Sequence, residues 1–393
     1  MISIVLLIII YISFISLGLP DSLLGSAWPS MYKDLNLPLH YAGYVSMIIC
    51  AGTVISSILS ERIIRRFGTG FVTAVSVLMT AVALFGFSFS SSFLFLCFWA
   101  IPLGLGAGSV DAALNNYVAL HYKARHMSWL HCFWGVGASM GPIIMSFYLI
   151  NKNSWNLGYS TIGIIQSSLV ILLFATLPLW GKNKFRKNND EIKKTHGISF
   201  KELFKIIGVK YILIAFFCYC SIELTAGLWG SSYLVIEKNI SPEIAARWIS
   251  LYYAGITFGR FISGFLTIKL PNLQMVRLGQ ILIALGIITL LLPFEKIILP
   301  GLFTIGLGCA PIFPSLLHDT PKNFGNDKSQ AIMGIQMASA YIGNIFMPPL
   351  FGQIASFFGF FIFPYFLGVT LVLMVIMVEI LYKKTNKNEK PVY

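Results

Sequence analysis

Apolar residues occur in long runs along this chain, and short polar or basic stretches separate the runs. A helix needs about 20 apolar residues to cross the hydrocarbon core of a bilayer. By that criterion we predict twelve membrane-spanning helices, called spans 1 to 12, at residues 3–30, 41–60, 70–89, 93–119, 127–150, 158–180, 208–235, 244–268, 276–293, 297–317, 330–353 and 357–382. The pattern therefore predicts an all-α, polytopic membrane protein.

The loops between the predicted spans are short, with one exception after span 6. Residues 181–207 form a charged stretch that divides the chain into halves. We predict an N-terminal six-helix bundle at 1–180, a cytoplasmic linker at 181–207, and a C-terminal six-helix bundle at 208–393 that ends in a short basic tail. The first apolar run is longer than the core of a signal peptide, so we expect it to be a retained helix.

Composition agrees with a membrane protein and charge predicts its orientation. Hydrophobic residues make up 56% of the chain and charged residues 11%. The net charge of +13 comes from short basic clusters between apolar runs, which argues against a nucleic-acid-binding face. Placing the N-terminus inside puts 22 of the 28 Lys and Arg residues in cytoplasmic loops, as the positive-inside rule requires. We expect both termini in the cytoplasm and the protein in the bacterial inner membrane.

The two halves repeat each other in sequence. A shift of 202 or 203 residues aligns small and acidic positions in spans 1/7, 2/8, 4/10 and 5/11. The aligned pairs are Asp21 and Gly25 with Glu223 and Gly227, Ala51-Gly52 with Ala254-Gly255, Ser60 with Ser263, Gly104-Leu105-Gly106 with Gly306-Leu307-Gly308, and Gly141 with Gly343. Four spans in register predict a duplicated six-helix unit, which is a transporter architecture.

An acid inside span 4 is the first candidate for chemistry. Asp111 shares a helix face with Gly104, Gly108 and Asn115, at spacings of seven, three and four residues. An ionisable residue inside a membrane helix must face a cavity or a partner. The duplication aligns Asp111 with Phe313, so this acid has no counterpart in the other half. We therefore take Asp111 as the first candidate for a proton carrier and Asp21 as the second.

Three segments resemble a known family at these acids. LPDSLLGSAWPSMY in span 1 places Asp21 before a Leu-Leu pair, and GLGAGSVDAALNNYV in span 4 places Asp111 four residues before Asn115. With GLGCAPIFPSLL in span 10, they resemble the fucose permeases, the fucose:proton symporter family of the major facilitator superfamily.

That resemblance implies two six-helix bundles and proton-driven uptake of a sugar. The acid of span 4 would take up the proton, and the acid of span 1 would contact the sugar. The chain departs from the family in carrying Asp where the span 4 acid is usually Glu. Related branches couple to sodium and carry glucose, so the resemblance leaves the ion and the sugar open.

A sugar site needs polar side chains for the hydroxyls and an aromatic face for the ring. We predict substrate contacts from Asp21, Asn115, Asn116, His131, Trp134, Glu223, Trp229, Gln336 and Asn344. Each type also has a structural interpretation. Tryptophans form interfacial belts, asparagines join helices, a histidine can be structural, and Glu223 could pair with Arg260.

Four arginines are candidates for gating or structural roles. Arg260 is the base inside span 8, and it needs an anionic or carbonyl partner or contacts substrate. Arg62, Arg65 and Arg66 lie in SERIIRRFG, which resembles a degenerate copy of the loop that joins spans 2 and 3 in the superfamily. We predict that this loop forms a charged latch between helices.

We therefore predict a secondary transporter, a proton-coupled sugar symporter that works by alternating access as a monomer. Its partners are a small-molecule substrate, a proton or a sodium ion, and the lipid bilayer. The alternative is an efflux antiporter for drugs or metabolites that uses the same acids. The chain carries no HExxH motif, no soluble catalytic insert and no metal spacing among its six cysteines, so we expect no enzyme, cofactor or metal.

Overall fold

Helices account for nearly all of the regular structure in this protein. The computed structural model describes residues 2–122, 124–180, 204–267 and 269–386. The helices of spans 1 to 6 are Ile2–Asp21 with Leu23–Asp34, Tyr41–Phe67, Thr69–Ser88, Phe93–His121, Ala124–Lys152 and Trp155–Ala175. Those of spans 7 to 12 are Val209–Glu237, Pro242–Leu266, Asn272–Leu291, Glu295–His318, Asn326–Phe358 and Phe363–Asn386. The twelve predicted spans are thus confirmed as helices. Most of the predicted linker, 181–203, lies outside the described residues.

Several observed boundaries differ from the predicted limits, and in three spans the predicted range is not one continuous helix. Span 1 is interrupted after Asp21, where its second helix begins. Span 6 ends at Ala175, and Leu177–Trp180 forms a separate 3-10 turn, since Pro178 cannot donate a backbone hydrogen bond. Span 12 begins only at Phe363, after a 3-10 turn at Phe360–Ile362.

Ten of the twelve spans are long and apolar enough to cross a membrane by length and composition alone, within the described ranges. Spans 8 and 11 fall below that hydropathy threshold. Span 8 carries Glu243, Arg247 and Arg260, and span 11 carries Gln336 and Asn344. Both helices pack against the opposite half of the protein, span 8 against span 5 and span 11 against span 2. Gln336 is fully buried, and Arg260 and Asn344 lie between the two halves, so these polar groups do not meet lipid.

The repeat predicted from the sequence reappears in the packing of glycines. Gly104 in span 4 lies against the carbonyl of Ile49 in span 2, and its counterpart Gly306 lies against the carbonyl of Tyr252 in span 8. The positions shift by 202 and 203 residues, as in the sequence alignment. In the same way, Gly106 packs on Ser76 of span 3 and Gly308 on Gly279 of span 9. The two six-helix bundles are therefore pseudo-symmetric.

Equivalent residues of the two halves also meet each other. A Cβ atom at Gly25 in span 1 would lie 2.5 Å from the carbonyl oxygen of Gly227 in span 7, its own counterpart in the repeat. Such a contact between equivalent positions is the signature of a two-fold axis. Only glycine permits this approach, since any side chain would collide with backbone.

At one end of the molecule the halves are joined by a group of contacts that we call the closed end. There, Gly43 packs against Pro349, and Tyr44 accepts a hydrogen bond from Gln353. The Ser146 hydroxyl donates to the Glu243 carbonyl at 2.7 Å, which ties span 5 to the start of span 8. All these contacts lie on the side of the loop between spans 1 and 2.

Candidate substrate and proton site

The break in span 1 places Asp21 at the end of a helix. Pro20 lacks an N–H and cannot donate to the carbonyl of Ser16, four residues earlier. Gln166 in span 6 satisfies that carbonyl, donating from Nε2 at 2.6 Å, and accepts the Ser16 hydroxyl at 2.6 Å. Because this partner is available, the helix can open at Ser22, and Asp21 lies at the end of the first segment.

Asp21 is exposed to the central cavity and has one hydrogen-bond donor. Trp134 in span 5 donates its indole N–H to Asp21 Oδ2 at 2.7 Å. The backbone carbonyl of Trp134 lies against Gly18 in span 1, so the two helices approach closely beside this bond. Hydrogen bonds to an ionised carboxylate are shorter and stronger than neutral ones. The bond therefore ties the Asp21 carboxylate to span 5.

Asp111 lies in the middle of span 4 and is partly buried. Its Oδ1 accepts a hydrogen bond from Asn115 Nδ2 at 2.9 Å, one helical turn further on. Gly104 and Gly108, on the same face, let span 4 approach span 2, so Asp111 is held beside that helix. Among the described residues, neither Asp21 nor Asp111 forms a salt bridge. Two acids without a cationic partner thus lie in one half of the protein.

A third acid belongs to the other half and is paired. Glu223 in span 7 lies 3.4 Å from the Arg260 guanidinium of span 8. The two side chains are 22% and 24% exposed, so water screens the pair in part. Arg260 also lies over the Trp134 ring, 4.9 Å from its centroid. This cation–π contact joins the halves, while the carboxylate of Glu223 is the anionic group beside Arg260.

These groups surround one cavity of about 350 Å³ between the two halves. Its size falls in the range of small-molecule sites. The lining residues whose side chains carry a polar atom are Asp21, Ser46, Cys50, Thr53, Asp111, His131, Trp134, Tyr159, Glu223, Tyr253, Arg260, Tyr341 and Asn344. The remaining lining is apolar and includes Phe14, Leu17 and Phe87. The surface can therefore bind a polar molecule that carries one apolar face.

The structure brings seven predicted residues to this cavity. They are Asp21, Asp111, His131, Trp134, Glu223, Arg260 and Asn344. His131 meets the ring of Phe14 edge-on at 5.9 Å and faces the cavity from span 5. Acids, amide, imidazole and indole thus converge from five different spans and both halves.

Other predicted substrate ligands lie elsewhere. Trp229 is fully buried and donates its indole N–H to the Pro348 carbonyl at 2.8 Å. Gln336 is also fully buried and exchanges hydrogen bonds with Thr320. Asn116 is exposed on the side of span 4 away from the cavity lining, and Asn115 reaches Asp111 but does not itself line the cavity. As substrate ligands, these residues receive no support from the structure.

The arginines of the loop between spans 2 and 3 lie at the end of span 2. Arg62, Arg65 and Arg66 are all exposed, and the Arg66 guanidinium lies 5.3 Å from the Phe67 ring centroid. None of them lines the cavity. The structure thus places them at a helix end, where a latch between helices remains a prediction.

Sequence reasoning missed several lining residues. Tyr253 precedes Arg260 by seven residues, and Tyr341 precedes Asn344 by three, so each shares a helix face with a residue that was recognised. Helical spacing alone would have found them. Cys50 is a free thiol that also lines the cavity, from span 2. No sequence signal distinguishes it from the other five.

Two six-helix bundles, related by an internal repeat, enclose a central cavity with ionisable groups. This arrangement defines a secondary transporter. The chain belongs to the Major Facilitator Superfamily, whose profile matches residues 10–336 and 211–392. Members of this superfamily are transporters and not enzymes.

Two relatives are similar to this chain over more than half of its length. The glucose/mannose transporter GlcP of Bacillus subtilis (strain 168) is 24% identical over 320 residues, which cover 78% of this chain and 77% of GlcP. "Bypass of stop codon protein 6" of Saccharomyces cerevisiae (strain ATCC 204508 / S288c) is 24% identical over 279 residues, 65% of this chain but only 56% of the yeast protein.

Two solved structures share the fold across almost the whole chain. A D-xylose-proton symporter superimposes with a TM-score of 0.77 at 13% identity, covering 96% of this chain and 97% of that one. The nucleoside transporter NupG superimposes with a TM-score of 0.72 at 13% identity, covering 98% and 100%. At such identities the likeness establishes the fold alone.

Proposed function

We propose that this protein is a proton-coupled symporter of a sugar, related to the fucose permeases. The observation that carries the proposal is the pair of acids, Asp21 and Asp111, that face one cavity between the halves without a salt bridge. Moving two unpaired carboxylates through an occluded state is costly unless they are neutralised. Protonation is the simplest way to neutralise them.

The sugar is proposed from the character of the cavity. Carboxylate, amide and imidazole groups provide donors and acceptors for hydroxyls, while Trp134, Phe14 and Phe87 offer aromatic surface for a ring face. The similarity to a glucose/mannose transporter supports the same substrate class. We propose a hexose or deoxyhexose that contacts Asp21, His131, Trp134 and Asn344.

The working cycle follows from two bundles that move about the cavity. We propose that residues 1–180 and 208–393 are the moving units and that 181–207 joins them on the cytoplasmic side. With the termini in the cytoplasm of a bacterial cell, the closed end faces outward, as in a carrier that is ready to release substrate inside. We further propose that the protein works as a monomer.

The experiment is transport by purified protein in vesicles. A panel of hexoses is first tested for thermal stabilisation, and the stabilising sugars are then tested for uptake under an imposed pH gradient or an imposed sodium gradient. We expect sugar accumulation with the pH gradient and none with sodium alone. Accumulation with sodium alone would replace the proton as coupling ion.

The direction of movement separates symport from the alternative. An efflux antiporter would move its substrate against the proton flow, whereas a symporter moves both the same way. Stabilisation by lipophilic compounds and by none of the sugars would contradict the proposed substrate class.

A further inference from the structure

We propose that Trp134 is a positioning residue that links the charge of Asp21 to the contact between the two halves. The inference rests on the proposed function in one respect, namely that Asp21 gains and loses a proton during transport. Its structural basis is a row of four side chains, Asp21, Trp134, Arg260 and Glu223, in which each contacts the next.

The indole of Trp134 is used twice. Its N–H donates to Asp21 in the same half at 2.7 Å, and its ring face holds the Arg260 guanidinium of the opposite half at 4.9 Å. An ionised Asp21 strengthens the second contact in two ways. Hydrogen bonding to an anion raises electron density on the donor ring, and the negative charge attracts Arg260 across the ring.

Arg260 has a competing partner in its own half. The 3.4 Å separation from Glu223 is long for a charge-assisted bond, so Arg260 is divided between Glu223 and the Trp134 ring. When Asp21 is protonated, the ring loses its anionic partner, and Arg260 interacts more strongly with Glu223 than with the ring. The contact between the halves then weakens, so the protonation state of Asp21 alters the interface through Trp134.

Spans 5 and 8 are also in close contact immediately beside Trp134. Gly135, the next residue, packs directly against Thr257 of span 8, so backbone and indole share one close contact between the halves. A small displacement of Trp134 therefore alters the packing of spans 5 and 8, the helix pair that must separate during the cycle.

The geometry also argues against Trp134 as only a platform for the sugar. One face of its ring is covered by Arg260 and its N–H is occupied by Asp21. A stacking platform needs the aromatic face alone. Replacing Trp134 with Phe keeps an aromatic face and removes the N–H, so this variant distinguishes the two roles.

The first measurement needs no substrate. We compare the melting temperatures of the purified wild type, Trp134→Phe, Asp21→Asn and the double variant at pH 5 and pH 8. A bond to an ionised carboxylate contributes stability at high pH and loses it as the acid becomes protonated. We expect Trp134→Phe to lower the melting temperature at pH 8 by about twice as much as at pH 5. In the Asp21→Asn background this pH dependence should disappear.

Other titratable groups face Asp21 from neighbouring elements and respond to pH as well. They are Cys50, Asp111, His131, Tyr159, Glu223, Tyr253 and Tyr341, together with the charged Arg260. Their contribution is common to the wild type and Trp134→Phe, and the Asp21→Asn background isolates the part that belongs to Asp21. A pH dependence of the Trp134→Phe effect that survives in that background overturns the proposal.

The second measurement is sugar uptake as a function of pH. Trp134→Phe should move the pH of half-maximal uptake upward by about half to one unit, because the ionised form of Asp21 has lost a donor. The sugar KM at low pH should stay within about twofold of the wild type, since the aromatic face remains. An unchanged pH profile with a raised KM would show a substrate platform and refute the positioning role.

Two further variants guard the interpretation. Trp28→Phe is the matched control, because this buried indole donates to the neutral Leu39 carbonyl at 2.6 Å within the same half. Its pH profile should match the wild type. Arg260→Lys keeps the charge but cannot lay a planar group on the ring, so it should shift the profile in the same direction as Trp134→Phe. If the wild type takes up no sugar while the melting pattern holds, the proposed function fails and the Asp21–Trp134 linkage stands.

Discussion

The substitution Asp111→Asn tests ion coupling with little disturbance of the fold. Asp111 accepts a hydrogen bond from Asn115 through Oδ1 at 2.9 Å. An asparagine at 111 has the same size and keeps a carbonyl oxygen in the place of that acceptor, so the bond to Asn115 can persist. What the variant loses is the ability to carry a proton. Any change in coupling then reports on charge rather than on packing.

The magnitude follows from the number of unpaired acids in the cavity. A proton that crosses a gradient of one pH unit supplies about 1.4 kcal/mol, which supports about tenfold accumulation of a co-transported molecule. With Asp21 and Asp111 both available, the wild type should accumulate sugar between about tenfold and about a hundredfold at that gradient. Asp111→Asn should reduce the accumulation by about tenfold.

The assay compares two modes of transport in the same vesicles. Uptake under a pH gradient measures coupling, whereas counterflow exchange of labelled sugar needs no coupling and should survive in Asp111→Asn. Asp34→Asn is the matched control, because Asp34 also accepts a hydrogen bond from a side-chain N–H, the Trp155 indole at 2.9 Å, but does not line the cavity. Undiminished accumulation by Asp111→Asn would refute the assignment of Asp111 as proton carrier.

Three other predictions concern the frame of the site. Gln166→Leu should lower the free energy of unfolding by about 1–3 kcal/mol, since it removes the side chain that satisfies span 1 at its break, and an unchanged melting temperature would contradict this. Because the thiolate is the form that reacts and burial disfavours it, Cys50 should react with a maleimide slowly at pH 7 and faster at pH 9, sugar should slow that reaction, and Cys50→Ser should remove it. Gly25→Ala should fold but lose most counterflow, because its Cβ would meet the Gly227 carbonyl, whereas Gly264→Ala, where no atom lies within 4 Å, should remain active.

The fold could be predicted from the sequence because the bilayer imposes it. Length and hydropathy predicted the twelve helices, and the repeat gave independent support to a span of lower hydropathy. Span 8 falls below the hydropathy threshold for a membrane span, yet Ala254-Gly255 and Ser263 align it with span 2. The break at Asp21 was beyond such reasoning, because it depends on Gln166, which is distant in sequence and reaches the carbonyl of Ser16 only in the folded protein.

Site residues could be predicted from the sequence where placing the side chain in a membrane is energetically costly. They were predicted less well where only the chemical type of the side chain suggested a role. Charged groups inside a membrane are expensive, so Asp111, Glu223 and Arg260 were found by their type, and all three face the cavity. Neutral side chains such as Trp229 and Gln336 can satisfy themselves within their own bundle. Their direction depends on the rotation of each helix about its axis, and the sequence alone does not determine that rotation.

The asymmetry of the repeat explains where the cavity lies. In the C-terminal half, the place of Asp111 is taken by Phe313, which packs on the rings of Phe216 and Tyr219 and fills that space. The positions equivalent to those two rings are Phe14 and Leu17, and both line the cavity beside Asp111.

The difference between Asp111 and its counterpart Phe313 also separates the roles of the two halves. Seventeen of the 25 lining residues belong to the N-terminal half, which also holds both unpaired acids. The C-terminal half contributes Glu223, whose charge is balanced by Arg260. A proton or other cation therefore has a reason to bind on one side of the interface only. The C-terminal half can sense that binding only through contacts that cross the interface, and the contact of the Trp134 ring with Arg260 is one that carries charge.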